Sequence, residues 1–310
     1  MEVIRGAHNL RTAHRGCVAT IGNFDGVHRG HQAVIRKLLE LAARSSLPAI
    51  VVVFEPQPAE FFGGANAPAR LTNFRDKCAL LAQYGVDRLL VLRFNAQLAS
   101  LTAAEFIQQI LIEKLAINGL IVGDDFKFGC DRGGDFSTLQ RFAAKFAFTL
   151  DYTSSFLTNS ERASSTRVRA ALHAGDFSEV NELLGHSYRV SGIVVHGNKN
   201  GRAMGFPTAN LNLNRRRSPL QGIFAAQVNG LGPQLRPAIA YVGTRPILGG
   251  EKFVLEVHLF DYAEDFYGRH IGVNFTHKVR DDLPFTDFDA LSRQIALDCV
   301  IAKKLLGHGT

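Results

Sequence analysis

Apolar and polar positions alternate in two ways along this chain, and the change falls past its middle. In the first half, short apolar runs (CVATIGNF, AIVVVF, RLLVLRF, GLIVG and FTLDYTSSF) are separated by longer amphipathic segments. Those segments read HQAVIRKLLELAARS, FRDKCALLAQYG, AAEFIQQILIEKLA and FSTLQRFAAKFA. Uninterrupted apolar strands joined by amphipathic helices predict a parallel sheet covered by helices on both faces. Ligands of such sheets bind beyond the carboxyl ends of the strands. A helical stretch from about Thr166 to Leu184, broken at Gly175, closes this half near Gly185.

After Gly185 the segments YRVSGIVVHG, GIFAAQVNG, RPAIAYVG, KFVLEVHLFDY and HIGVNFTHKV are short, β-rich and separated by Gly, Pro and Asn turns. They predict an antiparallel barrel. The final segment, DFDALSRQIALDCVIAKKLLG, carries Leu291, Ile295, Val300, Ile301 and Leu305 as the expected stripe of a helix packed on that barrel. The 310 residues exceed what one core usually organises, which agrees with two domains at 1–186 and 187–310.

Composition narrows the class. A hydrophobic fraction of 46% with 20% charged residues excludes a disordered chain, a collagen and a coiled coil. The longest apolar run, about Ala49 to Phe54, is far shorter than the roughly 18 residues of a spanning helix. The start, MEVIRGAHNLRTAHRG, lacks the apolar stretch of a secretory signal, so the expected compartment is cytoplasmic. Cys17, Cys78, Cys130 and Cys299 are scattered and read as free thiols. Of the net charge of +7, most comes from 187–310, with 15 Lys/Arg against 10 Asp/Glu. That balance suits anionic ligands, and only Arg215, Arg216 and Arg217 resemble a nucleic-acid patch, or else a solvated loop.

Candidate chemistry concentrates first in TIGNFDGVHRGH, Thr20 to His31, where an apolar strand runs through a Gly and Asp turn into a helix. His28 and His31 flank the helix start. Imidazolium is poorly placed there, because the helix N-terminus already carries partial positive charge. An anion reverses the penalty: backbone N–H groups and both imidazoles could donate to phosphate, and to the extra charge of nucleotidyl transfer. The plainer alternative is two surface histidines beside a turn. No GxxxxGK[ST], GxGxxG after a strand, or HExxH is present.

A lone HxGH also admits class I aminoacyl-tRNA synthetases and other small nucleotidyltransferases. FEPQP (Phe54 to Pro58), VGDDFKFG (Val122 to Gly129) and SSTRVR (Ser164 to Arg169) follow GNFDGVHRGH in order. Together these four segments resemble the bacterial bifunctional riboflavin kinase and FAD synthetase family. GFPTAN, followed by GIFAA, VGTRP and LEVHLFDY, extends the resemblance over nearly the whole chain.

The resemblance implies a Rossmann-like nucleotidyltransferase domain followed by a flavokinase β-barrel with a C-terminal helix. It implies ATP:FMN adenylyltransfer in the first domain, with His28 and His31 on the ATP phosphates. Asn23 and Phe24 would lie near the nucleotide, Asp25 and Gly26 would shape the turn, and Asp125 would stand near the flavin and ribose end. Ser164, Ser165 and Thr166 offer hydroxyls at a helix start, and Arg167 and Arg169 add charge, a second anion site or plain N-caps. Gln57 stands where many members carry His, so FEPQP is given a shape role only.

In the second domain, Gly197, Gly201, Arg202, Gly205, Pro207 and Thr208 would surround the ATP phosphates. Thr208 and Asn210 would hold Mg²⁺, and Glu256 would be the general base toward the ribityl hydroxyl of riboflavin. Without the resemblance, Glu256 reads first as an outward charge on a strand. Arg280 falls where the family places a basic residue near the flavin. The substrates implied are ATP, riboflavin and FMN, with no nucleic acid and no membrane among the partners. Two alternatives keep only the adenylyltransferase, making the barrel either a flavin-binding module or, through Arg215 to Arg217, a nucleic-acid module. Departures from the family pattern gather in the barrel: Asn198, Tyr241, Ile247 and Asp282 replace its common residues, and weaker riboflavin or ATP affinity is expected there.

Overall fold

The computed structural model describes residues 1–196, 205–211, 213, 217–247, 250–262, 264–285 and 287–307, without the side chains of 245–247 and 250–252. The chain forms two compact units: Met1–Pro68 with Lys77–Ser164, and Ala69–Asp76 with Ser165–Thr310.

The first unit holds strands β1 (Glu2–Arg5), β2 (Cys17–Ile21), β3 (Ala49–Glu55), β4 (Arg88–Arg93), β5 (Ile117–Gly123) and β6 (Thr149–Thr153). All pair in parallel in the order β1-β4-β3-β2-β5-β6. From β2 the chain moves to β3 and β4 on one side, then returns to place β5 on the other. The carboxyl ends of β2 and β5 therefore flank a topological switch point, where ligands of open sheets bind. Helix α1 (Arg29–Ser45) covers one face, opposite Val18 and Thr20 of β2. Cys17, Ala19 and Ile21 point to the other face, into a core with Ile107, Ile110, Leu111 and Leu139. Short helices α2 (Pro58–Gly63), α4 (Ala96–Ala99) and α5 (Ala103–Phe106), with α3 (Phe74–Gln83) and α6 (Phe136–Phe146), complete the coverage together with a π-helical turn at Ile107–Lys114. A hairpin of β7 (Leu157–Thr158) and β8 (Glu161–Arg162) follows β6.

In the second unit, β9 (Arg189–Val195), β10 (Ala209–Leu211), β11 (Gly222–Asn229), β12 (Arg236–Ile247), β13 (Gly250–Leu259) and β14 (His270–Arg280) close an antiparallel barrel. Alternation sorts its strands: Phe224, Ala226, Val228, Ala238, Ala240, Val242, Leu255 and Val257 are buried inside. Ile223, Ala225 and Ile239 face outward and are covered by helix α9 (Phe288–Leu305).

The expected stripe on α9 needs correction. Leu291 and Ile295 lie on the packed side, but Val300 is 67% exposed, and Ile301 and Leu305 are exposed as well. The buried residues are Asp298, Cys299 and Ala302. Two forces set that face: Arg280 grips Asp298 through Nε and Nη2 at 2.7–3.0 Å, and the small Cys299 and Ala302 let the helix approach the sheet closely.

Helices α7 (Ser165–Ala174) and α8 (Phe177–Leu184) belong to the barrel unit, Phe177 meeting Phe224 edge-on at 5.9 Å. The segment 69–76 joins it through Asp76, whose buried carboxylate accepts from Ser191 N at 3.1 Å and Ser191 Oγ at 2.7 Å. The compact units thus divide at Ser164/Ser165, upstream of the Gly185 turn where the sequence boundary falls.

Candidate functional site

In the first unit a cavity of about 370 Å³ opens at the switch point, lined from the β2–α1 turn, the loop after β5 and the segment after β6. The turn is bent hard: Phe24, Gly26 and Val27 all lie in the left-handed region, at φ 47°, 81° and 42°. For a β-branched residue such as Val27 that conformation is costly, and it persists where the surroundings over-determine it, as at ligand clamps. Phe24 and Asp25 are buried within this turn, and Asn23 is half-buried.

His28 is the N-cap of α1, its Nδ1 accepting from the His31 N–H at 3.4 Å. The two imidazoles stack with centroids 3.7 Å apart. A Cβ at Gly30 would press on the His28 ring at 3.1 Å and on the Ala163 carbonyl at 3.3 Å, so any larger residue there must shift one of them. Burial pushes the His31 imidazole well below the ordinary histidine range, and the nearby His28, Lys77 and Arg162 push the same way. The buried His31 Nδ1 and Thr20 Oγ1 have no hydrogen-bond partner among the described residues, and Thr153 Oγ1 beside them is in the same condition. A polar ligand that accepts and donates hydrogen bonds fits such a wall.

Asp125 lines the same cavity and is held by Arg162 at 2.7 Å, a hydrogen bond that lowers its pKa. Arg162 escapes the sequence reading, because it sits two residues before the Ser-rich helix start and only the fold carries it to the cavity. Ser164 lines the cavity, whereas Ser165, Thr166 and Arg167 lie on α7 in the second unit, with Arg167 Nε on Glu179 at 2.7 Å. The sequence reading also omits an aromatic run beyond the carboxyl ends of β3 and β4. Phe126 of the cavity wall stacks on Phe128, which leads through Phe106, Phe54 and Phe94 to Phe61 and Phe62, each ring within 6.4 Å of the next. Phe62, at the end of the run, is 71% exposed.

The second unit has a cavity of about 320 Å³ between the outer barrel face and α9. Thr208 Oγ1 donates to Glu256 Oε2 at 3.4 Å, and Asn210 is the direct cross-strand neighbour of Glu256. Glu256 does point to the outer face, yet that face borders the cavity, so the carboxylate is half-buried beside Tyr241 and His258. His258, another residue absent from the sequence reading, donates from Nδ1 to the Pro207 carbonyl at 2.8 Å and so fixes the PTAN segment. Arg280 also lines the cavity, its guanidinium on Asp298 and over the Phe285 ring at 5.7 Å. Gly205 adopts φ 82° before this segment. Gly197, Gly201 and Arg202, with Asn198 and Lys199, lie outside the described residues, as do Arg215 and Arg216.

Oxygen ligands suit Mg²⁺, and the Thr208 hydroxyl, the Asn210 amide and the Glu256 carboxylate form such a set. Among the described residues no three His, Cys, Asp or Glu side chains are grouped to hold a metal. No described helix is long and apolar enough to cross a membrane.

Residues 10–167 match the FAD synthetase family, and residues 184–306 match the riboflavin kinase family. A bifunctional riboflavin kinase/FMN adenylyltransferase of Escherichia coli (strain K12) is 47% identical over 99% of this chain and 98% of its own. That of Pseudomonas fluorescens is 48% identical, covering 98% of each chain. A solved structure from Streptococcus pneumoniae, described as a macrolide-efflux protein, superposes with a TM-score of 0.83 at 30% identity, covering 98% of this chain and 99% of that one.

Proposed function

This chain belongs to the bifunctional riboflavin kinase/FMN adenylyltransferase family, and from that premise we propose how its two units divide the work. The enzyme phosphorylates riboflavin with ATP to give FMN and ADP, then adenylylates FMN with a second ATP to give FAD and pyrophosphate. The adenylyltransferase is assigned to 1–186 and the kinase to 187–310.

In the first unit, His28, His31 and the α1 N-terminus receive the ATP phosphates. The His31 imidazole, neutral in the free protein, becomes a donor to the anion, and its cationic form stabilises the charge gathering at the α-phosphorus as the FMN phosphate attacks it, with His28 stacked beside it. Asn23, Phe24, Asp25 and Gly26 shape the turn that presents these groups, and Ser164 on the cavity wall supplies a further phosphate contact. Arg162 joins them, held in place by Asp125, which also stands toward the flavin end. The isoalloxazine ring lies against the aromatic run that ends in Phe62, since a planar apolar ring is what that surface fits.

In the barrel, Glu256 takes the proton from the ribityl 5′ hydroxyl, and the oxygen attacks the γ-phosphate of ATP. Gly197, Gly201, Arg202, Gly205 and Pro207 are assigned to the phosphates. Thr208 and Asn210 would hold Mg²⁺, which when bound would neutralise phosphate charge during transfer. Arg280 shapes the flavin end. Both steps are placed in the cytoplasm, in keeping with free thiols at Cys17, Cys78, Cys130 and Cys299.

The observation that supports a kinase, rather than a barrel that only binds flavin, is the contact between Thr208 and Glu256 in a cavity of its own. Product chromatography after incubation with riboflavin, ATP and Mg²⁺ tests the assignment. FMN and FAD should both form; FAD formed only when FMN is supplied would leave the barrel as a binding module.

A further inference from the structure

Tyr241 stands directly across from Glu256 in the pairing of β12 with β13, and both line the barrel cavity. Its ring runs along β12 over Gly243: a Cβ built at Gly243 would collide with the Tyr241 hydroxyl and ring. Glycine at 243 is therefore what gives the ring its place. The hydroxyl donates to Asp282 Oδ2 at 3.0 Å. The other carboxylate oxygen, Oδ1, accepts from the Leu283 N–H at 3.0 Å. One side chain thus joins a barrel strand to the start of the segment after β14.

That segment forms a wall of the cavity through Asp282, Leu283 and Phe285. Its base is anchored by Arg280, bonded to Asp298 and to the Asp281 carbonyl at 2.9 Å. Leu283 is 47% exposed, so burial does little to hold it in place. Tyr241 is thus the described side chain that reaches this wall from the strand bearing the Glu256 neighbour.

We propose that Tyr241 is a positioning residue for riboflavin, acting through Asp282 to hold the Leu283 and Phe285 wall against the bound flavin. This rests on the barrel being the riboflavin kinase. It also revises the expectation that the aromatic ring at 241 only weakens affinity: the position has lost a small amide and gained a tether.

The test is the kinetics of riboflavin phosphorylation by the full-length enzyme. Tyr241→Phe keeps the ring and removes the tether, so KM for riboflavin should rise about three- to tenfold with kcat within twofold and KM for ATP unchanged. Asp282→Asn keeps an acceptor and should stay near the parent, whereas Asp282→Ala should match Tyr241→Phe. The double variant Tyr241→Phe with Asp282→Ala should be no worse than either single change. The unchanged kcat and KM for ATP in the kinase step show that the barrel of each variant is folded. An unchanged riboflavin KM in Tyr241→Phe, or additive losses in the double variant, would overturn the tether. Should the parent form no FMN, the kinase assignment fails separately, and riboflavin affinity by flavin fluorescence still decides the tether: a weaker Kd in Tyr241→Phe supports it and an equal Kd overturns it.

Discussion

The two sites of this chain prepare for phosphate in opposite ways. At the switch point of the parallel sheet, His28, His31, Lys77 and Arg162 are gathered about one helix start, and His31 is held neutral by burial and by that company. An incoming anion would meet donors already gathered at the helix start, with Arg162 held there by Asp125. On the barrel face the charges are matched before any ligand arrives: Arg280 with Asp298, Tyr241 with Asp282, Thr208 with Glu256. There the wall is already hydrogen-bonded, and the carboxylate proposed as the base is held by its neighbours. A phosphate-transfer site can thus be built from excess charge or from satisfied polar pairs.

The comparison breaks most sharply if one change disables both steps. Replacing His31 by Ala should lower FMN adenylylation by about 10³-fold or more, because it removes both a phosphate donor and the stacking partner of His28. Riboflavin phosphorylation should continue at the parent rate. Equal loss of both rates in a folded variant would mean that the two sites are not independent. The reciprocal change, Glu256→Gln, keeps the shape but cannot take a proton, so kcat for FMN formation should fall by about 10² to 10⁴ while supplied FMN is still adenylylated. Unchanged FMN production would remove Glu256 from the chemistry.

The alternation of strands and helices was readable because buried parallel strands are apolar throughout, and the HxGH turn because a strand runs through a Gly and Asp turn directly into a helix start carrying both histidines. What escaped has physical reasons. Strand β1 is four residues at the sheet edge with only Ile4 buried, too short to give a pattern. The packed face of α9 was misassigned because its contacts are made by small residues and by an aspartate paired with an arginine 18 positions away, neither of which periodicity of hydropathy detects. The tie of Asp76 to Ser191 spans 115 residues and leaves no local trace. Arg162 and the Phe61–Phe62 pair were equally invisible, since a lone cation or an apolar pair acquires meaning only when the fold carries it to a site.

A smaller effect sharpens the comparison at the flavin end. Phe62 is exposed and makes few supporting contacts beyond the Phe61 and Phe94 rings, so Phe62→Ala should leave the melting temperature nearly unchanged. If the aromatic run receives the isoalloxazine, KM for FMN in adenylylation should rise several-fold, in line with about 0.5–1.5 kcal/mol for an aromatic pair. KM for riboflavin in the kinase step should not move. A raised riboflavin KM with an unchanged FMN KM would place the aromatic surface in the wrong half of the scheme.

The smallest expected effect is on pH. His31 in the free protein is held well below its ordinary range, whereas in the unfolded chain it titrates near 6.5. The unfolded state therefore binds the proton first, so this group leaves stability whole above about pH 6.5 and erodes it as pH falls below, by at most about 1.4 kcal/mol per pH unit. Bound triphosphate reverses the sign locally, because an anion beside the imidazole raises its pKa and the complex takes up a proton. KM for ATP in adenylylation should consequently fall several-fold from pH 8.5 to 7, and His31→Asn should flatten that profile. It should also lessen the drop in melting temperature between pH 7 and 5. The kinase step offers the contrast, since no stacked imidazole pair lines the described barrel cavity. Its KM for ATP should stay level across the same range, and a parallel fall in both steps would trace the dependence to ATP itself rather than to His31.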